Sequence, residues 1–472
     1  MSCNWKTLPL GEILELVIDH RGKTPKKLGF KDFQTEGYPV LSAKHVKTSG
    51  LVNLDSIRYA NLEMYKKWMK VPVQEGDVVL TSEAPMGETF FIDGSIDYVL
   101  GQRLFGLRPK KELIEPRYLM AWLSSEVGQN KLKQRASGST VQGIKQAELL
   151  KIEIDVPPLR TQKIIANNEA YISKKINLNK KLNQTLEQIA QAIFKSWFVD
   201  FEPVKAKIKV LEAGGSEEDA ILAAMQAISD KDKAQLTQLQ TENPENYNQL
   251  RTTAELFPSA MQDSELGEIP EGWNYGLLSD ISELNKSSWT KRTLPSEIEY
   301  VDLANTKKGI IENTSRYAAN EAPSRARRKL SKGDTIIGTV RPGNRSYAFI
   351  YDDSNMLTGS TGFAVLTPEN RHFAEFLYIK ATSEQSIDYL AHLADGGAYP
   401  AVRPEVVSSV PSILPSDALV RRFHHTVSPY FKSIGENNKE SSLLTKVKLA
   451  LLPKLLSGEI LMAHANESLE VD

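Results

Sequence analysis

Hydrophobic and polar residues follow two patterns along the chain, and each pattern occurs twice. The first is a short β-branched run after a Gly-Asp turn, Val78-Val79-Leu80 in one half and Thr335-Ile336-Ile337 in the other. Such runs predict short strands separated by turns. The second pattern is a longer segment with apolar residues at three- and four-residue steps, which predicts an amphipathic helix. The sequence therefore predicts two similar bodies of short strands, each ending in a helix.

The two halves align in order, though not without gaps. Residues 5–13 and 273–281 open the halves, each with a tryptophan, and the glycine-rich loops 138–143 and 396–400 correspond further on. The spacing between equivalent residues changes along the chain, so the surface loops differ in length. Divergent loops on a shared frame predict two surfaces suited to different targets.

The two predicted helices carry apolar stripes that favour packing on each other. The stripe residues are Ile172, Ile176, Leu182, Leu186, Ile189, Ile193, Trp197, Phe431, Ile434, Leu444, Val447 and Leu451. Asn179 and Asn183 interrupt the first stripe, and a polar residue in such a seam can fix the register. The alternative is that each helix packs only on its own body. Equivalent positions in a duplicated chain favour helix pairing.

Residues 201–270 have no counterpart in the second half. They hold 6 Lys and Arg against 13 Asp and Glu. Ser216 with Asp219 is typical of a capping box, and Asn243-Pro244 is typical of a helix start. We predict two or three short helices that end near Phe257, and we assign this segment no chemistry.

Composition limits the class of protein. The 472 residues are 41% hydrophobic and 25% charged, which suits a globular protein of several domains. The single cysteine excludes an internal disulfide framework. No apolar run approaches the ~20 residues of a membrane span. A cytoplasmic protein without a membrane partner is therefore expected. The net charge of −1 hides a basic first part, since residues 1–165 hold 24 Lys and Arg against 19 Asp and Glu.

The motifs of common catalytic sites are missing from the sequence. The loop at 138–145 resembles a P-loop, but Ile144 stands where the P-loop lysine belongs and Gln146 follows Lys145. No Asp or Glu stands two residues before a Lys, as a nuclease site of that type requires, and no glycine-rich turn seats a dinucleotide or methyl donor. The seven histidines show no metal-ligand spacing. No catalytic residue and no metal ligand is predicted.

Several basic and polar clusters in loops are suited to DNA. Lysine and arginine bind phosphates, while arginine, asparagine and glutamine can pair with base edges. The candidate DNA-binding residues are Arg21, Lys23, Lys26, Lys44, His45, Ser82, Arg103, Thr140, Gln142 and Lys145 in the first half, and Lys307, Arg327, Arg328, Arg341, Asn344, Arg345, Tyr347, Tyr399 and Arg403 in the second. A solvated basic loop is the alternative for each cluster. Two other classes remain open, an enzyme with duplicated reading domains and a scaffold that binds protein.

Five segments carry a resemblance to a known family. They are Pro157-Pro158-Leu159-Arg160-Thr161-Gln162, the run from Asn179 to Leu186, the run from Ala192 to Phe201, the run from Ser264 to Trp273, and the run from Leu452 to Ile460. The pattern resembles the specificity (S) subunit of type I restriction–modification systems over essentially the whole chain. The second helix departs from it, because Pro415 is followed by Ser416-Asp417 with no matching glutamine.

The resemblance implies an α+β fold with two similar globular target-recognition domains, separated by two long helices packed as an antiparallel coiled coil. It assigns target-recognition domains to residues 1–165 and 271–420 and conserved helices to 166–200 and 421–460. Residues 201–270 form an acidic helical insertion or linker, and 461–472 form a tail.

The resemblance also implies a subunit without catalysis of its own. Each domain would read one half of a split sequence in double-stranded DNA. Two modification subunits, which are methyltransferases, and two restriction subunits, which translocate and cut DNA, would be its partners. The chain itself would hold no cofactor, and S-adenosylmethionine, ATP and Mg²⁺ are expected on the partner subunits.

Overall fold

The computed structural model describes residues 5–138, 141–265, 267–290, 292–397 and 399–460. Their contacts divide the chain into two units. Body 1 consists of the described residues up to 180 together with 438–460, and body 2 consists of residues 181–437. Each body combines small sheets with helices, as the duplicated pattern predicts.

In chain order, the elements of the first part of the chain are β1 (Lys6–Pro9), α1 (Leu10–Ile13), β2 (Leu14–Asp19), β3 (Tyr38–Leu41), β4 (Val46–Lys47), β5 (Gly50–Leu51), β6 (Arg58–Ala60), α2 (Leu62–Trp68), β7 (Val78–Thr81), β8 (Thr89–Phe91), β9 (Val99–Leu100), β10 (Leu104–Pro109), α3 (Pro116–Ser124), α4 (Glu126–Gln134), α5 (Gln146–Leu149), β11 (Glu153–Val156) and α6 (Leu159–Phe198).

The later elements are α7 (Glu202–Glu212), α8 (Glu217–Ser229), α9 (Lys233–Glu242), α10 (Pro244–Glu255), β12 (Met261–Gln262), β13 (Ile269–Pro270), β14 (Asn274–Leu277), β15 (Ser282–Leu284), β16 (Glu297–Val301), β17 (Thr306–Lys307), β18 (Ile310–Ile311), β19 (Ser315–Ala318), β20 (Ala326–Lys329), β21 (Thr335–Gly338), β22 (Tyr347–Phe349), β23 (Leu357–Ser360), β24 (Phe363–Pro368), α11 (Ala374–Ala381), α12 (Glu384–His392), α13 (Pro404–Ser408), β25 (Pro411–Leu414) and α14 (Asp417–Leu456).

Body 1 is organised around a four-stranded sheet in the order β2-β10-β7-β8. β7 has a neighbour on each side and is buried along its whole length. Successive strand residues point to opposite faces. Val78 therefore packs in one core with Trp122 of α3, while Val79 packs in a second core with Trp68 of α2. The second core also includes a three-stranded sheet, β6-β3-β9, in which β3 and β9 are parallel.

Body 2 repeats this arrangement. Its four-stranded sheet has the order β15-β24-β21-β22, and its second sheet, β19-β16-β23-β20, contains one parallel pair, β16 with β23. Ile337 and Ile336 again point into two different cores. In each half of the duplication the opening strand pairs antiparallel with the closing strand, β1 with β11 and β14 with β25. The predicted duplication is confirmed.

Two helices of 40 residues, α6 and α14, follow the last strand of each half. Within body 1, the α6 residues Glu169 and Ser173 contact Lys448 of α14, and Asn179 contacts Glu440. The residue number rises along one helix as it falls along the other, so this pair is antiparallel. Within body 2, Asn437 donates a hydrogen bond of 2.8 Å to Asn183.

The seam between these helix segments is more polar than the apolar stripes predict. Asn179 is buried and donates a 2.7 Å hydrogen bond to Glu440 Oε2, while Lys448 pairs with the buried Glu169. Trp197, Phe431 and Ile434 are buried, and Ile172, Ile176, Leu186, Ile193, Leu444 and Leu451 are partly buried. Leu182, Ile189 and Val447 are exposed, so their predicted packing against the other helix needs correction. In the seam, asparagine and charged side chains are buried in place of these apolar side chains.

Residues 202–255 form four helices, α7 to α10, rather than two or three. The capping box of Ser216 with Asp219 and the Asn243 cap of α10 are present as predicted. α8, α9 and α10 share a small core that includes Met225 and Leu236. These helices belong to body 2, where Arg422 of α14 donates to Thr253 of α10.

A buried aspartate differs in its partner between the two bodies. Asp77, just before β7, makes two hydrogen bonds of 2.9 and 2.8 Å to the guanidinium of Arg108 on β10. At the equivalent place in body 2, Asp334 accepts from the backbone N–H of Ser331 and the hydroxyl of Thr367, both neutral groups. Burial without a cation raises the pKa of Asp334 to about 6.

We expect Asp334→Asn to stabilise body 2 in a pH-dependent way. The ordinary pKa of aspartate is 3.8, so the folded state holds this proton more tightly than the unfolded state. The wild-type stability contributed by this group is therefore complete below pH 4 and falls as the pH rises to about 6. At ~1.4 kcal/mol for each pKa unit, the neutral variant gains roughly 2–3 kcal/mol at pH 7.5. Melting temperatures of the variant and wild type at pH 4.5 and 7.5 measure this gain.

Asp77→Asn is the matched control. It removes the charge that compensates the buried Arg108, so it should lower the melting temperature at both pH values. A difference between Asp334→Asn and wild type that stays constant between the two pH values would contradict the assignment.

Candidate nucleic-acid interface

In body 1, three loops meet where β7 ends. The backbone N–H of Ile144 donates to Ser82 O at 2.9 Å, and the N–H of Ser82 donates to Arg103 O at 2.8 Å. The guanidinium of Arg103 pairs with Glu83 at 3.0 Å. The loops after β7, before β10 and before α5 are thereby fixed to one another. We call this group of loops the strand-end cluster of body 1.

Glycine makes the tight turn in this cluster possible. Ser137 and Gly143 exchange two backbone hydrogen bonds of 2.8 and 3.0 Å, which closes the loop between them. Gly138 has a φ of 109°, and a Cβ there would lie 2.2 Å from Val141 O. A side chain at this position would force the loop open. Val141 and Gln142 are exposed on this loop.

Body 2 forms the same strand-end cluster at the end of β21. The N–H of Val402 donates to Thr339 O at 2.9 Å, and that of Arg341 donates to Pro400 O at 2.7 Å. Gly396, with a φ of 123°, corresponds to Gly138. The Arg341 guanidinium lies over the Tyr399 ring, 4.6 Å from its centroid. This stacking leaves the Tyr399 ring largely exposed.

The basic loop after β2 lies in body 1. Arg21 pairs with Asp19 at 2.7 Å, and its guanidinium lies 4.1 Å from the centroid of the Phe105 ring. Lys23 Nζ donates to Trp68 O at 2.5 Å. Burial, and secondarily the charge of Lys70, lowers the pKa of Lys23. Lys26 is exposed.

The predicted DNA-binding residues fall into three groups. The exposed ones, which can reach a ligand directly, are Lys26, Lys44, Gln142, Lys145, Lys307, Arg341, Asn344, Tyr399 and Arg403. Arg21, Arg103 and Arg345 are engaged in ion pairs, Arg345 with Glu384. Lys23, Arg327, Arg328 and Tyr347 are half-buried, and Thr140 lies outside the described residues. The contact of these residues with DNA remains a prediction.

The prediction that the His45 and Ser82 side chains contact DNA needs correction, because both side chains are buried. His45 Nδ1 accepts from the Ser42 N–H at 3.1 Å, and its Nε2 lies 3.3 Å from Ser56 Oγ. Burial lowers the pKa of His45, so the neutral ring holds its loop together. Ser82 contributes its backbone to the strand-end cluster, while its hydroxyl has no hydrogen-bond partner in the described structure.

Two arginines of β20 and a tyrosine of β22 also have structural partners. Arg327 donates to Ala326 O at 2.8 Å, and Arg328 donates to Ser288 Oγ at 3.3 Å. Burial lowers the pKa of Arg328. Tyr347 packs against Tyr378, and burial raises its pKa to about 12. These side chains have less freedom to reach a ligand than the sequence indicates.

Sequence reasoning missed Val141 as a candidate. It occupies the position that Tyr399 occupies in body 2, three residues after the equivalent glycine, and both side chains are exposed. The correspondence between the two glycine-rich loops carries the signal for this position. A valine side chain has no charge and no hydrogen-bonding group, so residue type alone does not mark it as a DNA contact.

The described residues contain neither a metal-binding cluster nor a membrane-spanning helix. No group of three or more His, Cys, Asp or Glu in this part of the chain is placed to hold a metal ion. Among the helices that the structure describes, none is long and apolar enough to cross a membrane.

Comparison with known proteins finds similarity to specificity subunits of type I restriction–modification systems. A model of the Type I restriction modification DNA specificity domain matches residues 3–188. The Type I restriction enzyme HindI specificity subunit of Haemophilus influenzae is 29% identical, over 97% of this chain and 100% of its own length. The MjaIX specificity subunit of Methanocaldococcus jannaschii is 24% identical, over 82% of this chain and 78% of its own. The crystal structure of a Type-I restriction-modification system S subunit from M. genitalium shares the fold with a TM-score of 0.50, at 14% identity over 96% of each chain.

Proposed function

We propose that this chain is a specificity subunit of a type I restriction–modification system and that it recognises a DNA target in two halves, one with each body. The observation that carries this proposal is the repeated strand-end cluster. The same backbone bonds fix a glycine-turned loop to the end of β7 and to the end of β21. The exposed side chains on the two loops differ, with Val141 and Gln142 in body 1 and Tyr399 in body 2.

The chemistry of these exposed groups suits DNA. Lys26, Lys44 and Lys145 are exposed in body 1 and can bind phosphates, which position a protein on the duplex without reading sequence. The amide of Gln142 can donate to and accept from the edge of adenine. In body 2 the Arg341 guanidinium can pair with guanine, and stacking on Tyr399 limits its orientations.

We also propose that this chain is not catalytic. Methyl transfer, translocation and cleavage would then belong to modification and restriction subunits, which would bring S-adenosylmethionine, ATP and Mg²⁺. The sequence supports this through its missing catalytic motifs. A cytoplasmic location stays a prediction.

The exposed apolar face of α6 supports docking of a partner subunit. Tyr171 is 75% exposed and Leu178 is 57% exposed, although a helix of this composition would normally turn such side chains inward. The two residues lie seven positions apart, which keeps both on one face of the helix. An apolar stripe at this spacing suits a helix of another protein. We propose that the modification subunits bind here.

The test of DNA recognition is the salt dependence of binding to a long mixed-sequence duplex. Counterion release predicts that the logarithm of the binding constant falls linearly with the logarithm of salt concentration. Lys26→Ala and Arg341→Ala should each weaken binding and reduce the magnitude of this slope by about 1. Lys233→Ala, on exposed α9, is the charge-matched control and should leave the slope unchanged. Binding that does not respond to salt would argue for a protein scaffold instead.

If each body recognises one half-site, the specificity for one half-site should be exchangeable without changing the other. Replacing residues 271–420 with those of a relative should change only one half of the methylated sequence, because the strand-end cluster of body 2 lies within that segment. Genome-wide mapping of modified adenines, in cells that carry the complete system, reads both halves at once. A change in both halves would refute the assignment of one half-site to each body.

If this face of α6 binds a partner, a substitution on it should impair assembly without impairing folding. Leu178→Asp should leave the melting temperature within ~1–2 °C of wild type, since an exposed side chain contributes little to folding. It should abolish co-elution with the modification subunit in size-exclusion chromatography. Gln184→Asp is the control, because Gln184 is also exposed and lies about 120° around the helix from Leu178. Full co-elution of the Leu178 variant would place the partner elsewhere.

A further inference from the structure

Body 1 contains a cavity of about 490 Å³ beside its basic loop. This volume lies within the range of ~300–1,000 Å³ typical of small-molecule sites. Its lining comes from the loop after β2, from β3, β6 and α2, and from the segments that follow β3 and β9. The segment after β9 is also the loop before β10, so the cavity adjoins the strand-end cluster of body 1 and shares that loop with it.

One side of the cavity is apolar. Phe33 and Trp68 line it with Val40, and the two rings lie 6.1 Å apart at an interplanar angle of 35°. Trp68 is held in place by a 3.0 Å hydrogen bond from its Nε1 to Leu100 O. The guanidinium of Arg58 lies 5.3 Å from the centroid of the Phe33 ring. Aromatic rings and guanidinium planes are the surfaces on which unstacked bases pack.

The rest of the lining is strongly cationic. Lys23, Lys26, Lys31, Lys44 and Arg58 line the cavity, against a single carboxylate, Asp32. Within the described part of the chain, none of these five cations forms an ion pair. Five positive charges beside one negative charge favour an anionic ligand, and lysine ammonium groups are typical phosphate binders.

A few neutral polar groups also line the cavity. Ser42, Ser56 and Gln102 are present, and His45 lies between the two serines. The exposed amide of Gln102 can both donate and accept hydrogen bonds. Such groups can pair with the edge of a base, so the cavity offers more than charge.

We propose that this cavity binds a single nucleotide, with its base against the Phe33 wall and its phosphate among the lysines. An inorganic anion would leave the apolar wall unused, and a neutral aromatic molecule would leave the lysines uncompensated. The source of the nucleotide is a DNA strand from which one base has left the stack. This inference rests on the proposed function, because it places an extrahelical base of the bound DNA in body 1.

The test compares the full-length chain with two duplexes of one sequence, one fully paired and one with a single unpaired 2-aminopurine nucleotide. The wild type should bind the second duplex at least about tenfold more tightly, since stacking of one base contributes ~1–3 kcal/mol. The fluorescence of 2-aminopurine, which is sensitive to stacking, should change on binding. Phe33→Leu keeps an apolar side chain but removes the ring, and it should abolish the tenfold preference.

Two controls separate this inference from DNA binding in general. Phe33→Leu should retain the salt-dependent binding of the paired duplex, so loss of both would indicate a folding defect, which its melting temperature would reveal. Lys44→Ala should weaken binding of the unpaired nucleotide, whereas Lys66→Ala, an exposed lysine outside the cavity, should not. Equal affinity of the wild type for both duplexes would overturn a DNA source.

A second arm identifies the source of the nucleotide. Deoxynucleoside monophosphates, inorganic phosphate and unphosphorylated nucleosides are titrated separately and detected by saturation-transfer NMR. Binding of the monophosphates, lost in Phe33→Leu, supports a nucleotide site. Binding of monophosphates with no preference for the unpaired duplex assigns the site to free nucleotides. Equal binding of phosphate alone, or no binding of any ligand, overturns the inference even if the paired duplex still binds.

Discussion

The antiparallel pairing of β1 with β11, and of β14 with β25, is the constraint on which each body depends. Lys6 pairs with Val156 through β1 and β11, and Asn274 pairs with Leu414 through β14 and β25. This pairing brings the two ends of a long segment together and starts each 40-residue helix immediately after the closing strand. The rest of the body can then vary in loop length without moving the point where the helix begins.

The closing pair is secured differently in the two bodies. In body 1, Gln162 is fully buried at the start of α6, where it accepts from the Glu115 N–H at 2.7 Å and donates to Leu113 O and Pro157 O. Three hydrogen bonds join the helix to the chain before α3 and to the end of the strand. α14 lacks this glutamine, and Asp417 at its start instead pairs with His372. The missing glutamine of the second half is thus replaced by another polar contact to the same kind of neighbour.

Much of the fold could be predicted from the sequence because it depends on local patterns. The Gly-Asp turns before β7 and β21, the duplication and the caps of α8 and α10 all follow from residue type and spacing. The helix seam could not be predicted in the same way. Apolar periodicity marks Leu182 and Ile189 as seam residues, yet Asn179 is buried instead because Glu440 on the other helix satisfies its amide. Such a pairing depends on a residue some 260 positions away, which periodicity does not reveal.

The candidate site, like the fold, has features that the sequence predicts and features that it does not. Residue type identified the basic loop and the glycine-rich loops correctly as surface features, but it did not reveal that His45 and Ser82 are buried. A loop must satisfy its own backbone groups, so some of its polar side chains turn inward and become part of the frame. The loop side chains that stay exposed are those that contribute little to the stability of the frame. In body 1 they include Val141 and Gln142, and in body 2 they include Tyr399.

This separation between frame and surface allows the two bodies to differ in what they contact. Gly138 and Gly396 fix the same turn, and neither tolerates a side chain without strain, since both have positive φ values. The exposed positions that follow carry no such restriction, and a valine occupies in one body the place of a tyrosine in the other. Even the buried frame has diverged between the bodies. The buried Asp77 binds Arg108 in body 1, whereas the equivalent Asp334 binds Thr367 in body 2. A frame that keeps its backbone while its side chains change would suit the proposed recognition of two unlike half-sites.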